Sequence, residues 1–453
     1  MKTVYLEELP YNLDSSILFE RIRDLGNAVF LDSSYPENLS GRYDILTAEP
    51  TNKISINITN TTSYESILKY FIDIEACHKN LYGDIQNPSE DIPFCGGLIG
   101  YLSYETGKSL ERMCPNDQIS TPSFGSHMAF YSWAVVQDHL RQRSVFVGLP
   151  QLTTKKRQQL LELLRQPISR ASTPFQLLDK FTSNFNSNSY QKAFKKIQHY
   201  ILEGDCYQVN LAQRFQSCFS GDTWSAYLKL RGIAAAPFSA YIENKERSIL
   251  SFSPERFLSL SGRHVETKPI KGTRARTNNT EADKLAALEL RNSSKDRAEN
   301  LMIVDLLRND LGKTCKPGSI RVDKLFEIES YPAVHHLVST ISGELSANKT
   351  AFDLLRSCFP GGSITGAPKH RAMEIIEELE PNQRKIYCGS IIYISADGKM
   401  DSNIAIRTLL CERNQIYCWG GGGIVADSNW QLEYQETFDK VGQLISSLEE
   451  ALN

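Results

Sequence analysis

At 453 residues, 41% hydrophobic and 23% charged, the chain has the composition of an ordinary soluble protein and the length for a large core in two or three domains or one composite one. Its 50 basic and 53 acidic side chains leave a net charge of -3, which excludes a global attraction to nucleic acid or to an anionic membrane, so an anionic ligand must be small and locally held. The opening MKTVYLEELPYNLDSS puts acids and a proline where a signal peptide needs an apolar core, and no later run approaches a membrane span, so a cytoplasmic protein is expected.

Residues 1 to about 150 read as short β-like runs, such as Ala28 to Leu31 and Trp133 to Val136, with a glycine-rich crossing at Gly96 to Tyr101. Thr153 to Leu164 reads as a charged helix, and the Ser, Asn and Pro of Gln166 to Ser189 mark the main boundary, dividing an N-terminal α/β subdomain (1–165) from a C-terminal region (166–453). A helix resumes at Ser189, with Tyr190, Phe194, Ile197 and Ile201 at helical spacing until Gly204. Strands at Phe238 to Ile242, Ser248 to Phe252, Ser390 to Ser395 and Ile416 to Trp419 alternate with helices over Lys295 to Leu311, Pro368 to Leu379 and Trp430 to Leu448. Short strands and tight turns such as Ala396-Asp397-Gly398 favour an α+β fold with antiparallel sheets. Ten cysteines from Cys77 to Cys418 form no CxxC pair, and no HExxH occurs; they read as reduced, buried small hydrophobes.

Lys271, in Lys268-Pro269-Ile270-Lys271-Gly272-Thr273, sits among Arg263, Lys268, Arg274 and Arg276, with Glu266 the only nearby acid. A free lysine is neutral in roughly one molecule in 2500 at pH 7, so a nucleophilic one needs its charge disfavoured by burial or by neighbouring cations. The plain alternative is an exposed basic hairpin. Glu299 shares a helix face with Met302, Ile303 and Leu306, and is expected to seek Arg297, a lysine or another cation. Glu433 and Glu436 project from one side of the last helix; oxygen ligands without thiolate or imidazole suit Mg2+.

Two glycine-rich segments read as anion cradles. Phe359 to Lys369 runs into a helix, but Gly366-Ala367-Pro368-Lys369 does not match a nucleotide P-loop, and Gly420 to Gly423 is expected to follow a strand. Arg407, interrupting an apolar strand, suits a bidentate carboxylate or an internal bridge to Asp401. Tyr387 offers a hydroxyl, and His336 reads either as a core donor or as a site group.

Eight segments in order resemble the chorismate-utilising enzymes, most closely the aminodeoxychorismate synthase component I family: Cys206 to Asn210, Ser253 to Arg256, Pro269 to Thr273, Asp296 to Asn300, His335 to Ser339, Gly366 to Lys369, Ile406 to Thr408 and Glu433 to Thr437. The resemblance implies a large composite chorismate-binding fold: antiparallel sheets packed as a sandwich, helices outside. It implies Mg2+ held by Glu299 and Glu436, with Glu433 close by. Chorismate's carboxylates would be taken by Arg407, Tyr387, Ser363, Thr273 and the amides of Gly422 and Gly423. Lys271, where anthranilate synthases usually carry alanine, would be the nucleophile, Glu255 the acid for the departing hydroxyl, and His336 an active-site group. Gln208 stands where isochorismate and salicylate synthases tend to carry a water-activating lysine, which argues against water as the nucleophile.

The product so implied is 4-amino-4-deoxychorismate, towards 4-aminobenzoate and folate. The resemblance implies that ammonia comes from a separate glutamine amidotransferase subunit, and no cysteine here has the Gly-x-Cys-x-Gly setting of a glutaminase nucleophile. Ser33, Tyr43, Pro237 and Phe238 resemble the family's tryptophan pocket, although Ala234-Ala235-Ala236 departs from the commoner Asn-Pro-Ala. Alternatives are anthranilate synthase component I and a non-catalytic tryptophan-binding regulatory subunit. A nucleic-acid-binding module on residues 263–276 lacks interleaved aromatic residues.

Overall fold

The computed structural model describes residues 2–59, 62–83, 85–86, 89, 91–113, 123–167 and 173–452. Among them, a 13-stranded and a 10-stranded sheet are each antiparallel throughout, with a separate two-stranded parallel pair at Lys2–Thr3 and Ile85–Gln86. Period-two alternation builds the layers. Val29, Ala240 and Ile249 turn to one face of the larger sheet, where they join Leu98, Leu258 and Ile392 of the smaller sheet in one core. Their neighbours Phe30, Tyr241 and Leu250 turn to the other face. There they meet Phe19, Leu161, Trp224 and Leu444 from helices Ser16–Ile22, Thr154–Arg165, Thr223–Ala234 and Trp430–Glu449. This is the α+β sandwich with outer helices that the sequence implies.

Segments from before and after residue 165 interleave in both sheets. Val29–Asp32 pairs with Phe238–Glu243, and Gly97–Leu102 with Ser390–Ser395. The two parts therefore share one core. Part of the polar stretch at the expected boundary, 168–172, lies outside the described residues. The expected helices are observed at Thr154–Arg165, Ser187–Leu202, Ser294–Gly312, Lys369–Leu379 and Trp430–Glu449. Pro368 precedes the fourth of these and is not its first residue.

The β-like reading of the N-terminal part misses the 19-residue helix Tyr64–Tyr82. Ser63 caps it by accepting from the Ser66 amide, and Ile67, Tyr70, Phe71 and Ile74 form its buried stripe. β-Branched and aromatic residues mask that periodicity. Of the cysteines, seven are buried and Cys77 and Cys218 are half-buried, all as free thiols; Cys114 lies outside the described residues. Among the described residues, no helix is long and apolar enough to cross a membrane.

The four glycines lie inside the strand Gln415–Ile424, paired with Gln208–Ser220, and do not follow a strand as expected. Their lack of side chains serves packing. A Cβ on Gly420 would stand 2.1 Å from the Thr437 carbonyl oxygen, and one on Gly422 would stand 3.0 Å from Glu433 Oε2. Both gaps let the last helix lie directly on the strand and present its acids there. Gly420→Ala is expected to destabilise the fold by about 1–3 kcal/mol, because the obstacle is backbone. Chemical denaturation would measure the loss, and an unchanged midpoint would contradict the close packing.

Candidate active site

Lys271 lies in the strand Ile270–Ala275, whose pairing shifts register between Ile270 and Thr273. Gly272, at φ 81°, occupies that irregularity, and a Cβ there would come within 2.8 Å of Asp296 Cγ and Leu290 Cδ1. The missing side chain lets helices Thr280–Asn292 and Ser294–Gly312 close over the strand. Lys271 Nζ points inward and donates to the Ser363 carbonyl at 3.1 Å. Ser363 is in a short turn, Gly362–Ile364, and its hydroxyl donates to Glu255 Oε1 at 2.6 Å. One residue thus joins the amine to the acid.

Burial pushes the Glu255 carboxyl up to about 7 against the opposing pull of the Ser363 hydrogen bond and the Lys271 charge. Burial also lowers the Lys271 pKa; Glu299 opposes that shift and Lys440 adds to it. Of the two causes the sequence offers, burial is the leading one, and the basic neighbours along the segment are not the cations involved. Arg274 pairs with Asp296 at 3.1 Å and Arg276 with Asp283 at 2.9 Å, while Lys268 pairs with Glu329 and Arg263 caps the Leu345 carbonyl. Three of those cations are thus neutralised by acids of other elements, and the fourth is held by a backbone carbonyl.

Glu433 is almost fully buried, and its Oε1 accepts from the Ser428 hydroxyl at 2.7 Å. Burial, then the Glu436 charge, raises its pKa. At Glu436 burial acts in the same direction, but Lys440, 2.6 Å away, outweighs it and the pKa falls. Glu299, raised chiefly by burial, finds Lys295 at 3.9 Å, and the same ammonium is 3.6 Å from Glu433. Arg297, the other expected partner, lies over the Phe326 ring instead. Among the described residues, no group of three histidine, cysteine, aspartate or glutamate side chains is arranged to hold a metal ion by itself. Glu433 and Glu436 flank the side-chain-free space at Gly422, and Glu299 shares the Lys295 ammonium with Glu433; the donor chemistry of such carboxylates suits a hard divalent ion that keeps waters or substrate oxygens as further ligands.

Arg407 stands just before the strand Thr408–Glu412, at φ 48°, and does not interrupt a strand as expected. Asp401 is taken by Arg256 at 3.0 Å, and among the described residues no acid pairs with Arg407. Its charge is therefore available to an anion. His336 shares a 2.9 Å hydrogen bond with Thr273 through Nδ1, and its buried Nε2 has no partner. Burial, then Arg407, drives the imidazole down to about 3, so it is neutral at physiological pH.

Tyr387 is buried, its hydroxyl 2.8 Å from where a Cβ on Gly421 would stand. Gln208 Nε2 comes within 2.1 Å of the equivalent point on Gly423, and Gln208 Oε1 is buried without a partner. Asn210 Nδ2 is another such atom. Buried polar atoms without partners are rare, and these leave hydrogen-bonding capacity for a bound molecule. Sequence reasoning missed Asn210, Ser428, Lys295 and Lys440. The signal for the two lysines was their spacing of four residues from Glu299 and Glu436.

Away from this site, Ser33, Tyr43, Pro237 and Phe238 line a cavity of about 250 Å3, together with Arg256 and Asp401.

Comparison with known proteins agrees with this architecture. The family model described as chorismate binding enzyme matches residues 26–446. The chain is 43% identical to aminodeoxychorismate synthase component 1 of Salmonella typhimurium, over 97% of each chain. It is 43% identical to the protein of that name from Escherichia coli, over 95% of each. It is also 36% identical to anthranilate synthase component 1 of Aquifex aeolicus, over 79% of this chain and 75% of that one. The crystal structure of anthranilate synthase component I from Streptococcus pneumoniae superposes with a TM-score of 0.76 at 30% identity, covering 89% of this chain and 92% of that one. With a family match over most of its length, relatives above 40% identity and the same fold in a solved neighbour, the chain belongs to the chorismate binding enzyme family.

Proposed function

We propose that this chain is the synthase component of an aminodeoxychorismate synthase, converting chorismate and ammonia to 4-amino-4-deoxychorismate and water through a covalent bond to Lys271. The observation that carries this reading is the Lys271–Ser363–Glu255 chain of contacts, which sets a charge-disfavoured amine beside a carboxyl pushed up to about 7. A nucleophile needs the first and departure of hydroxide needs the second.

Arg407 and Tyr387 hold the substrate's carboxylates and fix the ring. Lys271 Nζ attacks C2, the ring double bonds shift, and the C4–O bond breaks as Glu255 gives its proton to the leaving oxygen. Ser363 holds Glu255 Oε1, so the other carboxyl oxygen carries that proton. Ammonia then adds at C4, the C2–Nζ bond breaks with its electron pair returning to the amine, and the new C4 ammonium gives a proton back to Glu255, so both groups are restored. A divalent ion on Glu299, Glu433 and Glu436 would supply positive charge for the ring carboxylate. A partner glutaminase supplies the ammonia, and tryptophan is the occupant proposed for the cavity at Ser33 and Phe238.

The anthranilate route needs ammonia at C2, the carbon that Lys271 would occupy. A merely regulatory tryptophan binder has no use for this arrangement of acid and amine. Incubating the purified chain with chorismate, Mg2+ and an ammonium salt is expected to yield 4-amino-4-deoxychorismate. Anthranilate or isochorismate as the product would overturn the assignment.

A further inference from the structure

Glu433 is one of the least exposed carboxylates in the molecule, yet its ion-pair partner Lys295 is 54% exposed. That imbalance is informative. An ionised carboxylate is costly to bury without a counter-charge, but a half-exposed ammonium on a flexible stem is weakly held. Two further features weaken it. Lys295 is the second residue of the helix Ser294–Gly312, at the end where aligned peptide dipoles repel a cation. It also precedes Glu299 by four residues, the less favourable order for such a pair. The same ammonium stands between Glu299 and Glu433, on different helices, and adds to the counter-charge that Lys271 gives Glu299 and Lys440 gives Glu433.

We infer that Lys295 is an exchangeable counter-ion: its ammonium bridges Glu299 and Glu433 in the metal-free protein and is displaced into solvent when a divalent cation binds those carboxylates. The inference rests on the reading that these acids hold Mg2+. Metal binding is then an exchange of one cation for another, and its affinity is reduced by the strength of the lysine's hold. Lys440 is the contrasting case. Besides its bond to Glu436 it donates to the Gly421 carbonyl at 2.7 Å, and this backbone anchor keeps it in place.

The test is titration calorimetry of Mg2+ into the full chain, comparing wild type with Lys295→Met, which keeps the stem and removes the charge. The variant is expected to bind Mg2+ at least about fivefold more tightly, the size of one unit charge at about 4 Å in bulk water and so a lower bound for a half-exposed pair. Its metal-free form is expected to melt earlier and to gain more from added Mg2+ than wild type does. A second measurement needs no variant: acetylation of Lys295, followed by peptide mass spectrometry, is expected to speed up when Mg2+ is added. Equal or weaker Mg2+ affinity in Lys295→Met, or an unchanged or slower acetylation rate, would overturn the exchange while the metal site stands. Mg2+ binding that survives Glu299→Gln and Glu433→Gln would remove both the exchange and the metal assignment.

Discussion

Lys271→Ala is expected to lower ammonia-dependent formation of 4-amino-4-deoxychorismate by at least about 1000-fold, the scale seen when a covalent nucleophile is removed. Binding should survive, because Arg407, Tyr387 and the three carboxylates are untouched. The signature is therefore a fall in kcat with chorismate still bound, read by steady-state kinetics alongside calorimetry. A variant that retained more than about a tenth of wild-type kcat would show that ammonia attacks without a lysine adduct. Lys271→Arg is expected to be equally inactive. Its guanidinium cannot shed its charge, so the variant separates nucleophilicity from positive charge at that position.

Glu255→Gln is expected to lower kcat by about 100- to 10,000-fold, the usual range for loss of a positioned acid, while raising stability at alkaline pH. Glu255 is neutral in the unfolded chain only below about 4.5 but holds its proton to about 7 when folded. A carboxyl raised in this way costs stability as pH rises through that interval, and the cost is fully present above it. For a displacement of this size it is about 3 kcal/mol at pH 8. The amide of Glu255→Gln would keep an acceptor for the Ser363 hydroxyl and carry no charge. The variant should therefore gain in denaturation midpoint at pH 8 and lose that advantage at pH 4.5. A midpoint equal to that of wild type at both values would contradict the burial of this carboxyl.

Much of this was legible in the sequence because it is local. The helix Trp430–Glu449 announces itself by the spacing of Val441, Leu444 and Leu448, and the same spacing puts Glu433 and Glu436 on one side. Which of burial and basic neighbours lowers the pKa of Lys271 was not legible. Its basic neighbours are paired by Asp296, Asp283 and Glu329, acids that only the folded topology brings to them. The sharing of both sheets across residue 165 is equally non-local, since pairing such as Val29 with Ile242 leaves no mark on either strand. Glycines 420–423 suggest an anion cradle in the sequence; in the fold Gly420 and Gly422 give space to the last helix, while Gly421 and Gly423 face Tyr387 and Gln208. The lysines at 295 and 440 were visible four residues from their acids and were passed over, because surface ion pairs at that spacing are common and weak.

Everything in the proposed reaction turns on a bond between Lys271 Nζ and a ring carbon of the substrate. Intact-protein mass spectrometry of the wild type, with chorismate and Mg2+ but no ammonia source, tests that bond most directly. The expected result is an added mass equal to chorismate less one water, located at Lys271 by peptide mapping, absent from Lys271→Ala and discharged when ammonium is supplied. An unmodified wild-type mass under rapid acid quenching, in protein that turns over fully once ammonium is present, would contradict it.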